Sequence, residues 1–208
     1  MLGVGQLSFD SAEASPPRVA DLAGMLCGPG QAVGFGGGAT ARLSVVVADR
    51  WRAVTLASAC AERGIETVLT TSDDGRPLVR TAFRADLVPL AGRWLCGAAK
   101  SVPERFTLDG VTLRLWAVVA GHWSESGYLF GLDPDSPRSH QPLVGALVRA
   151  GVSSALVGTE DGGPALRVSG ARRLARLVEL VGDAPSGVPR HDWPAVVSFQ
   201  RGRATIGA

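Results

Sequence analysis

Lysine is almost missing from this chain. Lys100 is the only one among 21 basic residues, and the net charge is only +2. That balance alone points to no particular partner, and the arginine bias reflects coding composition as much as function. Long apolar runs are also missing. None approaches the roughly 18 residues of a membrane span, and the longest are broken by Arg or Gly. The three cysteines, Cys27, Cys60 and Cys96, form no CxxC pair and no cluster with histidine. A disulfide framework and a zinc site are thereby excluded, and reduced, buried thiols are expected. Met1 to Pro17 carries Asp10 and Glu13 and no early cation before Arg18. It does not read as a secretory signal, so a cytoplasmic location is expected.

Nucleotide and catalytic signatures are equally sparse. "GFGGGATAR" (34–42) is glycine-rich but lacks the Gly-Lys-Ser/Thr ending of a phosphate loop, and it lies between strands. It reads as a hairpin turn. His122, His140 and His191 show no ligand spacing, and nothing pairs His122 with a nucleophile. The single Tyr128 and the five tryptophans read as packing residues. No cofactor is expected.

What is present is a pattern written twice. At 208 residues, 46% of them hydrophobic, the chain can bury one substantial core or two small, intimately packed halves. "RLSVVVAD" (42–49) has the β-branched character of a strand, and "RWRAVTLASACAERG" (50–64) reads as a helix capped by Asp49 and closed by Gly64. "TVLTTS" and "LVRTAF" flank the turn "DDGRP" and predict a hairpin, followed by a helix from about Asp86. The same order returns as "SHQPLVGALVRAG", "SALVGT", "EDGGP", "ALRVSG" and "ARRLARLVELVG". Gly64 and Gly151, Asp74 and Asp161, Gly75 and Gly162, Pro77 and Pro164, and Arg80 and Arg167 are each 87 positions apart.

Each copy is preceded by an apolar-Ala-Gly frame, "LAGMLCGPG" (22–30) and "VAGHWSESG" (119–127), 97 positions apart. The second copy is therefore expected to lack about ten residues before its helix. That leaves "YLFGLDPDSPR" room for one strand where the first copy has two.

A two-repeat chain whose repeats open on such helices resembles the LAGLIDADG homing-endonuclease family. "KSVP" (100–103) is similar to the Lys-x-x-Pro connection into that family's second motif helix. The resemblance spans about Arg18 to Gly182. It implies an α+β fold of two pseudo-symmetric αββαββα repeats in one chain, the second shortened by about one strand. The expected units are a flexible segment 1–17, repeats 18–99 and 100–182, and a linker with a C-terminal strand or basic tail, 183–208. Two motif helices sharing an axis need small residues where their backbones meet, and Ala23, Gly24, Ala120 and Gly121 would supply them.

In the family, the eighth motif position carries a metal-binding carboxylate. In the two frames it is Pro29 and Ser126, with Glu125 unmatched by Gly28. Neither Pro nor Ser supplies a carboxylate to a hard cation, so no metal site and no enzyme activity are expected. The resemblance further implies a saddle of strands over nucleic acid, with Arg42, Arg76, Arg80, Arg84 and Arg167 as the candidate contacts. The expectation is a monomeric, noncatalytic, regulatory binder of DNA or RNA. The alternatives are a protein-interaction scaffold on the same fold and, more distantly, an active metal-dependent nuclease. Clustering of Arg42, Arg80 and Arg167 on one face favours nucleic acid, and neutralisation by Asp or Glu favours the scaffold.

Overall fold

The computed structural model describes residues 16–159 and 163–195, together with Ala12. The chain forms two antiparallel four-stranded sheets, each backed by helices. The first repeat runs α1 (Ala23–Cys27), β1 (Gln31–Phe35), β2 (Thr40–Val46), α2 (Arg50–Ala61), β3 (Thr67–Thr71), β4 (Pro77–Thr81) and α3 (Val88–Trp94). A short hairpin, β5 (Leu95–Cys96) with β6 (Ala99–Lys100), leads into the second repeat. That repeat runs α4 (Gly110–Ala120), β7 (Gly121–Ser124), β8 (Gly127–Gly131), α5 (His140–Arg149), β9 (Ala155–Thr159), β10 (Gly163–Val168) and α6 (Ala171–Val181). Strand order is β1-β2-β4-β3 in one sheet and β7-β8-β10-β9 in the other. No helix among the described residues is long and apolar enough to cross a membrane.

Local chemistry explains these elements. Along β2 the residues alternate half-buried and buried, so Ala41, Leu43 and Val45 enter the core while Arg42 and Ser44 face outward. In α6, Leu174, Leu177, Leu180 and Val181 make the narrow apolar stripe of a surface helix. By contrast, α4 is buried on nearly every side, from Val111 to Val119, as befits a central helix. Asp109 opens it, accepting a hydrogen bond from the Thr112 amide at 2.8 Å. Gly64 and Gly151 both have positive φ, at 69° and 82°. They turn the chain out of α2 and α5, which accounts for their matching positions in the repeat.

The seam of the molecule is α1 against α4. A Cβ on Gly24 would collide with the Thr112 carbonyl and lie 2.6 Å from Leu115 Cβ. Gly28 faces Val119 and Ala120 less tightly, at 3.1 and 3.5 Å. Ala23 is buried beside Gly24, and Ala120 is half-buried. Gly121 departs from expectation. It is not in the seam but at the start of β7, where a Cβ would strike the Tyr128 hydroxyl.

That displacement corrects the register of the second motif. Arg80 pairs with Ser44, which pairs with Gln31, while Arg167 pairs with Leu129, which pairs with His122. Gln31 therefore corresponds to His122, and the frame that matches 22–30 is "LRLWAVVAG" (113–121) rather than 119–127. His122 and Trp123 lie in β7, not in a helix, and Ser126 sits in the β7–β8 turn. Nor is a strand missing from the second repeat. Gln31 and Ser44 are 13 positions apart and their counterparts His122 and Leu129 are 7 apart, so the shortening is in the hairpin alone.

Two further expectations change. Cys27 and Cys60 are buried but Cys96 is exposed. Burial pushes the Cys27 and Cys60 thiols up, to about 11 for Cys60. The segment 183–195, read as linker, packs back on the second repeat. Trp193 is buried and donates to Gly182 O at 2.9 Å, while Trp123 donates to Trp193 O at 3.0 Å and Tyr128 to Asp192 O at 3.2 Å. The expected C-terminal strand and most of the segment 1–17 lie outside the described residues.

Gly24→Ala should lower stability by about 1–3 kcal/mol through overpacking, a fall in Tm of roughly 2–4 °C per kcal/mol for a chain of this size. Gly34→Ala is the control, since nothing lies within 4 Å of its added methyl. Equal melting temperatures for the two variants would reject the seam.

Candidate nucleic-acid interface

Each sheet buries one face under helices and leaves the other open. In the first sheet, Ala32, Leu43, Val45 and Val79 point inward. The strand period then places Gln31, Val33, Phe35, Arg42, Ser44, Leu78 and Arg80 on the open side. In the second sheet, Tyr128, Phe130, Leu166 and Val168 point inward, leaving His122, Ser124, Leu129 and Arg167 opposite. Both faces begin at the C-terminal ends of the seam helices, because β1 and β7 leave directly from α1 and α4.

The five candidate arginines separate into two groups. Arg80 and Arg167 hold equivalent positions on the two open faces, and Arg42 joins Arg80 on the first. Among the described residues none of these three has a carboxylate partner. The Nε atom of each is buried against the sheet without a hydrogen-bond partner. Arg42 lies over the Phe83 ring, its guanidinium carbon 4.7 Å from the centroid.

Arg76 and Arg84 are different. Arg76 Nε donates to Asp74 at 2.6 Å, and Arg84 donates to Asp86 at 2.6 and 2.9 Å. Hydrogen bonds from Arg76 and Ser72 hold the Asp74 carboxyl down at about 2, and Arg84 likewise lowers Asp86. These two arginines arrive already matched by negative charge. The spacing was visible in "DGR" (74–76) and "RAD" (84–86).

Sequence reasoning passed over two cations at the seam ends. Lys100 Nζ is buried and donates to Gly28 O at 2.5 Å, Gly30 O at 2.9 Å and Asp133 Oδ2 at 3.1 Å. Gln31 also donates to that carboxylate oxygen, at 2.7 Å. Burial lowers the Lys100 ammonium from its ordinary value, against the pull of Asp133. For Asp133, burial acts upward, but Lys100, Gln31 and the Asp135 amide prevail and hold the carboxyl below its usual range. At the other helix, Arg52 donates to Ala117 O, Val118 O and Gly121 O at 3.3, 2.8 and 2.7 Å. Each C-terminal pole is thus closed by a side-chain cation.

This arrangement does not fit a divalent metal at the helix ends. With the register corrected, the eighth motif positions are Pro29 and Ala120, and Ser126 is in a turn where its hydroxyl lies 3.2 Å from Ser124 Oγ. The nearby carboxylate, Asp133, is engaged by Lys100 and Gln31. A hard cation needs several free oxygens, and here the helix-end carbonyls already accept from Lys100 and Arg52.

No family model and no curated protein matches the sequence. Solved structures do match the fold. The homing endonuclease I-WcaI bound to its DNA recognition sequence superimposes with TM-score 0.58 at 10% identity, over 86% of this chain and 89% of that one. Mesophilic variants of the homing endonuclease I-DmoI superimpose with TM-score 0.50 at 13% identity, over 79% and 95%. The fold is α+β and LAGLIDADG-like.

The Lys100–Asp133 pair gives a direct test. Asp133→Asn or Lys100→Met, each leaving the other charge buried, should cost about 3–5 kcal/mol, and the double variant should lose less than the two added together. Because the folded Asp133 carboxyl titrates below its unfolded value of about 3.9, its contribution is full above that pH and is lost as pH falls through the folded value. The acid limb of an unfolding curve should therefore be shallower in Asp133→Asn. Additive losses would show that the pair is not coupled.

Proposed function

With a LAGLIDADG-like fold as the premise, we propose that this chain binds duplex DNA across the open faces of its two sheets and does so without cutting it, in a regulatory role. The observation that carries the reading is the pair Arg80 and Arg167. They are equivalent in the two repeats, outward-facing, and unpaired among the described residues. Arginine placed so on strands supplies phosphate contacts that fix a duplex in position, and the guanidinium fork suits them. The DNA-bound state of I-WcaI, whose fold this chain shares, supports the choice of duplex DNA over other polyanions. The noncatalytic part is supported by Pro29 and Ala120 at the helix ends and by the cations that occupy the carbonyls there.

A second reading is a protein-interaction scaffold. The neutralisation of Arg76 by Asp74 and of Arg84 by Asp86 favours it. It does not account for Arg42, Arg80 and Arg167 being left unmatched.

Arg80→Ala with Arg167→Ala should weaken binding to a short duplex and reduce the slope of log affinity against log salt by about 0.9 for each lost phosphate contact, with Tm nearly unchanged. Arg76→Ala should barely move the slope, because Asp74 already offsets that charge. If the double variant keeps the parental slope, the saddle is not the binding face.

Incubation of the protein with a supercoiled plasmid library in Mg²⁺ or Mn²⁺ should yield no linear product. Cutting that survives purification to homogeneity would overturn the noncatalytic part.

A further inference from the structure

The open face of the first sheet carries an aromatic patch that the second lacks. Phe35, at the end of β1, is 65% exposed, Phe83, just after β4, is 38% exposed, and Val33 is 42% exposed. The two rings touch, with centroids 5.3 Å apart and planes tilted by 42°. Arg42 is paired with Val33 across the strands and lies over Phe83, so the patch has a cation built into it. Exposed apolar side chains of this size on a sheet face are unusual unless something covers them.

The second repeat has no counterpart. Val33 corresponds to Ser124, and Phe35 has no strand equivalent because the β7–β8 hairpin turns immediately after Ser124, through Glu125 and Ser126. The opposing positions there are His122 and Arg167 around a buried Leu129. One face is apolar and cationic, and the other is polar and cationic.

We infer that Phe35, Phe83 and Val33 form a base-reading patch that recognises thymine methyl groups in one half of a bound duplex, the other half being held through Arg167 without that preference. This rests on the duplex-binding reading above. The cation beside the rings suits a polyanion better than an apolar partner, since Arg42 has no carboxylate partner among the described residues. The touching rings leave no slot for an unstacked base between them, which disfavours a single-strand stacking site. What they offer is a shallow apolar surface, and the thymine 5-methyl is the apolar group that a duplex displays in its major groove.

Replacing thymine with uracil removes that methyl and keeps every hydrogen-bonding group. The probes are two short duplexes of the same alternating sequence, one with adenine and thymine and one with adenine and uracil, compared by fluorescence anisotropy. The parent should bind the thymine duplex about fourfold more tightly for each methyl buried. Phe35→Ala with Phe83→Ala should bind both duplexes equally, at close to the parent's affinity for the uracil duplex, with an unchanged salt slope. Equal binding of both duplexes by the parent, or a thymine preference that survives in the variant, would overturn the inference while leaving the duplex reading intact. If the parent binds neither duplex in a salt-dependent way, the duplex reading fails and this inference fails with it. The melting temperature of the double variant separates loss of contact from loss of fold.

Discussion

Two helix C-termini meet at the centre of this molecule, and everything else is arranged around making that meeting tolerable. Gly24 lets the α1 and α4 backbones approach within contact of each other. Close approach brings the unsatisfied carbonyls and the negative ends of both helices into one region, away from water. Lys100 answers at α1 and Arg52 at α4, each from a different element. Two elements outside the helices are thereby tied to the seam. β6 delivers Lys100 from the connection between repeats, and α2 delivers Arg52 across the pseudo-symmetry from the first repeat into the second.

The open faces inherit their position from this junction. Because β1 and β7 start where the helices stop, the strands cannot slide without breaking the contacts of Lys100 and Arg52. The Asp133 carboxylate extends the same lock, since Gln31 on β1 and Lys100 on β6 both donate to it. The junction thereby sets the relative placement of the two open faces, on which Arg80 and Arg167 hold equivalent positions.

The repeat was legible where backbone geometry forces residue identity. Gly64 and Gly151 hold positive φ at helix ends, and Gly75 does so in a hairpin turn, so these positions kept a constant offset that arithmetic finds. The second motif was misplaced because its frame is carried by a shape, not by letters. Leu115 occupies the position facing Gly24, and a larger residue is tolerated there because the glycine opposite supplies the space. The run "VVAGHWSESG" (118–127) contains an Ala-Gly that imitates the motif. The true signal was "SESG" (124–127), a tight turn between Trp123 and the apolar run Tyr128 to Phe130. Arg76 and Arg84 were readable as matched from an aspartate two positions away. Phe35 and Phe83 were not readable as neighbours, since they are 48 positions apart in sequence and meet only because β2 pairs with both β1 and β4.

The same logic explains how a chain only 10–13% identical to its structural neighbours keeps their fold. The constraints are a small residue at one crossing point, left-handed turns at a few glycines, an alternating strand pattern, and cations at two helix ends. None of these requires a carboxylate at the eighth motif position. Pro29 and Ala120 can therefore stand there without disturbing the seam, and the side-chain cations supply electrostatic closure at the helix poles from within the chain. With the junction secured internally, the outward-facing residues are free to diverge between repeats. The long first hairpin carries apolar chemistry to its tip, whereas the short second one ends in serine and glutamate. Pseudo-symmetry in the core and asymmetry at the surface follow from one arrangement, because the contacts of Gly24, Lys100 and Arg52 that hold the repeats together lie beneath the open faces, with Gln31 reaching them from the open side through Asp133.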